Sequence, residues 1–319
     1  MLKIAIAAEF ELAEKIVEAL EQTELNVEQI VAVEIYPFAE EQGLRFNHKS
    51  VAQMAADKVD WSEFQYAFFA TDVAHANHLA QAASAGVVVL DLLGTCAGLP
   101  DVPVVIPTVN EAQLSELHRN IVSLPNPQVT QVILATASLL QDMPVKHLSV
   151  TSLLPASYTN GETVSRLAGQ TAQLLNGIPL DETQQRLAFD VFPQSSAPLA
   201  MQVQSFFPQL ENVVLHAVQV PVFYGMSQKV TALCDYSLEM ERQIELWQQN
   251  PLIQYDAEQV ITPVINGERE NGEADVKLHI SGVSAVENGI SFWTVADEQR
   301  FNIAFLGVKL LEGLYREGY

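Results

Sequence analysis

The stretch Leu124 to Leu140, LPNPQVTQVILATASLL, has the layout of a reactive site. It reads as the end of a strand (Ile121 to Leu124), a two-residue turn and then a helix. Asn126 is the expected N-cap, because its amide oxygen can accept a backbone N–H that the first turn leaves without a partner. Pro127 falls at the first helical position, where its missing N–H costs nothing and its fixed φ suits the helix. A residue delivered by a strand to a helix N-terminus sits in a partial positive field, which lowers a thiol's pKa and favours an oxyanion. The residue delivered here is a proline, which can be neither nucleophile, base nor ligand. The scaffold of a site is present without its reactive atom.

Other chemistry-bearing residues are sparse. The seven histidines (48, 75, 78, 118, 147, 216 and 279) form no HxxxH or HExxH pattern. His75 and His78 could share a helix face, but no nearby carboxylate completes a metal set, so no metal site is expected. No G-x-S-x-G elbow marks a serine nucleophile. Cys96, in LLGTCAGL, follows a strand and so falls on the ligand side of a parallel sheet, where it reads as a small core thiol. Cys234 falls inside an expected strand and reads as packing. Two cysteines make no disulfide framework and lack metal-ligand spacing.

The chain that carries these residues opens β–α. Lys3 to Ala8 is an apolar strand, and Leu12, Ile16, Val17 and Leu20 follow at helical spacing. Ile30 to Tyr36, Tyr66 to Thr71 and Val87 to Leu92 read as further strands, with a helix over Ala74 to Ala85 ended by Gly86. This alternation predicts an α/β fold: an N-terminal Rossmann-like, doubly wound parallel sheet that binds ligands beyond its strand C-termini. Asp101 to Asn110 reads as an irregular connection and Glu111 to His118 as a short helix. Beyond Leu140 the pattern changes. Val145 to Leu154 and Arg186 to Phe192 read as strands, as do Val213 to Val222 and Lys229 to Tyr236, the last two forming a long hairpin around FYGMS. Val276 to Ile280 and Ile290 to Val295 add two more. Helices are expected over Glu162 to Leu175, Glu239 to Gln248 and Asp297 to Tyr315. The second domain is therefore expected to be α+β with a mostly antiparallel sheet. The expected boundaries are 1–124 plus 297–319 for the Rossmann-like domain and 125–296 for the second.

The first βα turn argues against a dinucleotide. Only glycine lets a backbone approach a pyrophosphate closely, and the chain reads Ala7-Ala8-Glu9-Phe10-Glu11-Leu12-Ala13-Glu14 there. The 16 Lys and Arg against 39 Asp and Glu give a net charge of −23. That field repels nucleic acid and anionic lipid. The acidic N-terminus does not read as a signal peptide, and no apolar run reaches the roughly 18 residues of a membrane helix. The expectation is a cytoplasmic protein with no nucleic-acid or membrane partner.

The order of these pieces resembles the aspartate-semialdehyde dehydrogenase family along essentially the whole chain. Pro100 to Asn110, PDVPVVIPTVN, is similar to that family's PDVPLVVPEVN. Pro125 and Asn126, with Gln131, match its NPNCST-x-Q helix. Leu187 to Pro193 resembles its AFNVIP strand, Val220-Pro221-Val222 with Gly225 and Ser227 its R-V-P-V-x-x-G-H-S hairpin, and Asp297 onward its DNLRKGAA-x-N-A-x-Q helix. The resemblance implies an NADP-dependent oxidoreductase fold with a C-terminal dimerisation domain. Its functional residues do not carry over. The catalytic cysteine position aligns with Pro127, the histidine base with Met226 and the substrate-carboxylate arginine with Gln219. The phosphate-site arginine falls near Ala97-Gly98. Cofactor glycines align with Ala8, Glu11 and Glu14, and the asparagine near the nicotinamide with Leu306. This pattern of replacements is similar to that of the Usg proteins, a bacterial branch of the family.

The resemblance therefore implies a homodimer without catalysis or bound cofactor, its cleft partly filled by Phe10, Met226 and Leu306. The alternatives are a repurposed cleft lined by Thr95, Cys96, Asn126, Gln128, Gln219 and Tyr224, holding a small neutral or cationic ligand, or a residual semialdehyde oxidoreductase using Cys96. Edges exposed on the Val213 to Tyr236 hairpin are the expected dimer contact.

Overall fold

A computed structural model describes residues 2–39, 43–235, 238–270 and 276–319. The chain divides into two compact units, Met1–Thr130 with Gln299–Tyr319, and Gln131–Glu298.

The first unit runs β1 (Leu2–Ala7), α1 (Phe10–Glu21), β2 (Val27–Glu34), the two-residue strands β3 (Arg45–Phe46) and β4 (Lys49–Ser50), β5 (Ala52–Ala55), β6 (Tyr66–Phe69), α2 (Ala76–Ser84), β7 (Val88–Asp91) and β8 (Ile121–Ser123). Six strands form one sheet in the order β5-β2-β1-β6-β7-β8, and every pairing in it is parallel. Strands of such a sheet are covered on both faces, which is why β1, β6 and β7 are continuous apolar runs. Ile4, Ile6, Phe68 and Phe69 are completely buried. Helix α1 buries Leu12, Ala13, Ile16, Val17 and Leu20 as its spacing predicts. At the end of α2, Gly86 takes φ +92°. Its N–H donates to Ala83 O (3.1 Å) and that of Val87 to Ala82 O (3.2 Å), so the left-handed residue satisfies the last carbonyls of the helix. The expected helix at Glu111 to His118 is only a 3-10 turn, Glu111–Ser115. The short strand β5 carries no local signal strong enough to have been expected.

The second unit contains most of α3 (Pro127–Asp142), then β9 (Val145–Leu154), α4 (Gly161–Leu175), β10 (Phe192–Gln194), α5 (Ala197–Phe206), β11 (Asn212–Gln219), β12 (Met226–Cys234), α6 (Met240–Gln249), β13 (Ile253–Tyr255), α7 (Pro263–Glu270), β14 (Leu278–Val286) and β15 (Gly289–Ala296). Its sheet has the order β10-β11-β9-β12-β15-β14-β13. Only β9–β11 and β13–β14 pair in parallel, so it is mixed but mostly antiparallel. The chain returns to the first unit within a π-helical segment, Glu298–Phe305, that leads into α8 (Leu306–Glu317). The expected single amphipathic α-helix over Asp297 to Tyr315 is thus wound more widely in its first half. Among the described residues no helix is long and apolar enough to cross a membrane.

Strands β11 and β12 are not a hairpin: β9 lies between them, parallel to β11 and antiparallel to β12. The dimer argument from free hairpin edges falls with it, since β10 covers the outer edge of β11 and β12 is flanked by β9 and β15. Tyr236, the last residue of that expected hairpin, lies outside the described residues. The sheet ends instead on two three-residue strands, β10 and β13. Pro193 in β10 suits an edge, since a proline cannot donate to a ladder on both sides. The expected strand at Arg186 to Phe192 is also not formed as such. The chain turns at Phe189, whose φ is +60°, and β10 begins only at Phe192.

Candidate functional site

The N-terminus of α3 is built as its sequence dictates. Asn126 Oδ1 accepts from the Gln128 N–H at 3.0 Å, and the Asn126 carbonyl accepts from Thr130 N–H at 2.9 Å. Thr130 Oγ1 donates to Pro125 O at 3.1 Å. Pro127 occupies the first helical position, buried, and its carbonyl accepts from Asn302 Nδ2 at 2.9 Å. Every polar atom Pro127 possesses is thereby committed to holding the fold.

Beside this turn lies the loop after β7. A Cβ at Gly94, which has φ +76°, would stand 2.9 Å from Asn126 N. The loop can therefore rest on the helix cap only with glycine at that position. It is organised by Asp91, a buried carboxylate that sequence reading did not single out. Asp91 Oδ2 accepts from Cys96 N–H (2.7 Å) and Ser123 Oγ–H (2.7 Å), and Oδ1 from Leu93 N–H (3.3 Å). Burial pushes its pKa up, while these bonds and one from the Thr95 backbone pull it back. The only signal for it in the sequence is a single acid closing the apolar run VVVLD. Thr95 Oγ1 donates to Thr71 O at 2.6 Å. The structure thus brings Thr95, Cys96, Asn126 and Gln128 to one end of the first unit's sheet, beyond the C-termini of β7 and β8.

Cys96 is not an activated thiol. It is buried, and its pKa is pushed up to about 11, first by burial and then by the Asp91 carboxylate. A nucleophilic cysteine needs the opposite surroundings. In the native protein at pH 8, Cys96 is expected to resist iodoacetamide over hours and to label promptly once the chain is unfolded. Native labelling at the rate of an exposed thiol would contradict this.

The β1–α1 turn places carboxylates where an anion site would need glycine. Ala8 is completely buried. Glu9 stands at the N-cap with no side-chain capping bond, and Glu11 follows in the first turn. Partial burial raises the Glu9 pKa, and Glu11 raises it further. Phe10 packs edge-on against Phe38, ring centroids 5.3 Å apart. Glu14 is exposed one turn on. A helix N-terminus can bind phosphate through bare N–H groups and its dipole, but two flanking carboxylates oppose any incoming anion. In the same unit Leu306, at the start of α8, is completely buried.

The second unit places the remaining candidates. Met226 opens β12, completely buried against Leu154 and Ala217, with Tyr158 packed alongside. Gln131 Nε2 donates to Thr294 Oγ1 (2.9 Å) and to Met226 O (3.4 Å). Gln219 closes β11 and donates to Leu154 O at 3.1 Å, across the register pair it forms with β9. Its amide braces the sheet. Tyr224 is 41 % exposed. It precedes Gly225, whose φ of +91° and close approach to Pro263 fix the turn into β12. Sequence reading missed a buried pair, Ser157 Oγ donating to Glu298 Oε1 at 2.5 Å. Among the described residues no group of three or more His, Cys, Asp or Glu side chains could hold a metal ion.

This two-unit arrangement is the fold of the aspartate-semialdehyde dehydrogenases. The crystal structure of aspartate semialdehyde dehydrogenase II from Vibrio cholerae, complexed with ASA, matches with a TM-score of 0.90 at 27 % identity, covering 100 % of this chain and 99 % of that one. Aspartate-semialdehyde dehydrogenase 2 of the same organism is 28 % identical over 95 % of this chain and 94 % of its own length. A USG-1 protein homolog of Haemophilus influenzae is 58 % identical over 100 % of this chain and 99 % of its own. The chain belongs to the USG-1 branch of the aspartate-semialdehyde dehydrogenase family. No protein-family model matches it.

Proposed function

We propose that this chain is a catalytically silent member of its family, a cytoplasmic homodimer that keeps the two-domain fold as a binding or interaction module. The observation that carries this reading is Pro127. At the position that the resemblance assigns to the cysteine nucleophile stands a residue with one polar atom, and that oxygen is engaged by Asn302. The position of the histidine base holds Met226, a thioether that takes no proton at neutral pH, in apolar packing. Gln219 carries no charge for the bidentate pair that an arginine would make with a carboxylate. Cofactor binding fails on the same reading, with Ala8, Glu11 and Glu14 at the glycine positions and Leu306 at the asparagine position. Residues 1–124 with 297–319 act as the Rossmann-like domain and 125–296 as the dimerisation domain. Dimerisation through the second is supported by its surface. Eleven of the fifteen large exposed hydrophobic side chains among the described residues belong to the second unit, Leu175, Phe189, Val191 and Met201 among them. Apolar side chains left exposed in that unit are ones that a second copy would cover.

A thermal-shift series with NADP, NAD and a panel of metabolites tests the binding half of this reading. A ligand at a hundred times its Kd would add about 2.7 kcal/mol, a rise of a few degrees. No shift is expected from either nucleotide, and a clear rise with NADP overturns the assignment. A rise with a metabolite alone would favour the second reading, a site reusing Thr95, Cys96, Asn126 and Gln128 beyond β7 and β8. Light scattering is expected to return twice the chain mass; a monomer would contradict the dimer.

A further inference from the structure

Away from all of these positions, the second unit carries a groove of about 540 Å³ along α4. Arg166, Gly169, Gln170 and Gln173 line its helical side and Leu180, Asp181 and Gln184 face them. The four helical positions follow i, i+3, i+4 and i+7 spacing, so they share one face. Gln170 builds the floor. Its Oε1 accepts from the N–H groups of Leu187 (2.7 Å) and Ala188 (3.2 Å), and its Nε2 donates to Gln185 O (3.0 Å). The returning chain is thereby held against the helix. Gly169 leaves the groove open, since a Cβ there would meet nothing within 4 Å.

Arg166 stands in this wall half-buried. Its Nε–H is shut off from solvent without an acceptor, and among the described residues no carboxylate pairs with it. Arg119, Arg242, Arg269 and Arg316 each find a carboxylate in this acidic chain. The buried Nε–H is out of a ligand's reach, but the Nη donors of the same guanidinium carry no carboxylate partner among the described residues and are available for one. Across the groove, Asp181 Oδ1 accepts from the Thr183 N–H (2.9 Å) and hydroxyl (2.7 Å). These bonds hold its carboxyl below the usual range, so it stays ionised. A guanidinium and a carboxylate thus line one groove without neutralising each other, and its volume is that of a small-molecule site.

We propose that this groove binds a small zwitterion with the charge pattern of an α-amino acid, its carboxylate on the Arg166 guanidinium and its ammonium toward Asp181. The planar fork of Arg166 suits a carboxylate, and the Gln173 and Gln184 amides supply neutral donors and acceptors at the rim. The site is independent of the family's catalytic positions and stands whether or not the chain is silent.

Calorimetry on the full chain with the proteinogenic L-α-amino acids, alongside succinate and putrescine as probes of a single charge sign, decides it. At least one amino acid is expected to bind, with an affinity that falls at least tenfold in Arg166→Gln and falls again in Asp181→Asn. Gly169→Leu places a branched side chain on the groove wall, where the Cβ itself meets nothing within 4 Å, and is expected to abolish binding while leaving the fold intact by circular dichroism. The proposal is overturned if no amino acid binds at about 10 mM, or if binding survives both Arg166→Gln and Gly169→Leu. Succinate binding as tightly as any amino acid, and indifferent to Asp181→Asn, would overturn the zwitterion assignment.

Discussion

Trp247→Ala is expected to cost about 3–5 kcal/mol of unfolding free energy, among the largest effects of any single truncation in this chain. Trp247 lies on α6 and is completely buried. Its indole N–H donates to Ala135 O on α3 at 2.8 Å. The ring meets Phe292 of β15 edge-on, with centroids 5.0 Å apart, and stacks over Tyr255 of β13 at 6.3 Å. One side chain therefore ties a helix to two strands and to a second helix. Truncation removes the transfer free energy of a large aromatic and leaves a cavity that this packed surround cannot close. Trp247→Phe keeps most of the ring and loses the hydrogen bond, so it should cost about 1–2 kcal/mol. Urea unfolding of the three proteins reads both values. A loss under about 1 kcal/mol for the alanine variant would mean the helix is not anchored there.

Gly289→Ala is expected to be as damaging for a different reason. A Cβ at Gly289 would stand 2.1 Å from the Ala232 carbonyl oxygen and 3.1 Å from Leu233 Cα. These are backbone atoms of β12, with which β15 pairs through Leu233 and Gly289. They cannot rotate away as a side chain would, so the added methyl must pry apart two strands at the middle of the seven-stranded sheet. The expected loss exceeds about 3 kcal/mol, the upper range of overpacking effects. Gly307→Ala is the informative control. Its nearest neighbours are the Leu92 methyl carbons, at 2.8 and 3.3 Å, which belong to a flexible side chain. It should cost visibly less. Soluble yield and thermal midpoints compare the pair, and Gly289→Ala matching wild type would contradict the register described for β12 and β15.

Where a local signal sufficed, the fold could be read from the sequence. The apolar runs of β1, β6 and β7 predict buried parallel strands, and Asn126-Pro127 predicts the start of α3 to the residue. What failed required knowledge of distant partners. The tight turn before Met226 suggests that β11 and β12 pair, yet β9, some sixty residues earlier, takes the place between them. Nothing near the turn encodes that choice. The stretch Arg186 to Phe192 has the apolar content of a strand, but Gln170 supplies the acceptor for two of its N–H groups, and the backbone turns at Phe189 instead. A side chain seventeen residues away replaced a ladder. Asp91 escaped notice for the same reason, since one carboxylate after an apolar run acquires meaning only when Ser123 and the Cys96 backbone converge on it. The alignment of Pro127, Met226 and Gln219 rests on the motifs that flank them, and their reading as replaced catalytic positions belongs to the proposed function.

The central claim is the absence of dehydrogenase chemistry, and turnover tests it most directly. Purified protein at about 10 µM would be supplied with aspartate semialdehyde, NADP and phosphate, and NADPH formation followed by absorbance; at the median enzyme rate of about 10 per second the signal would be immediate. The account predicts a rate indistinguishable from the protein-free blank, in wild type and in Cys96→Ser alike. A rate that scales with protein and requires both NADP and phosphate would contradict it, and its loss in Cys96→Ser would show that the buried thiol after β7 had taken over the role of the missing nucleophile.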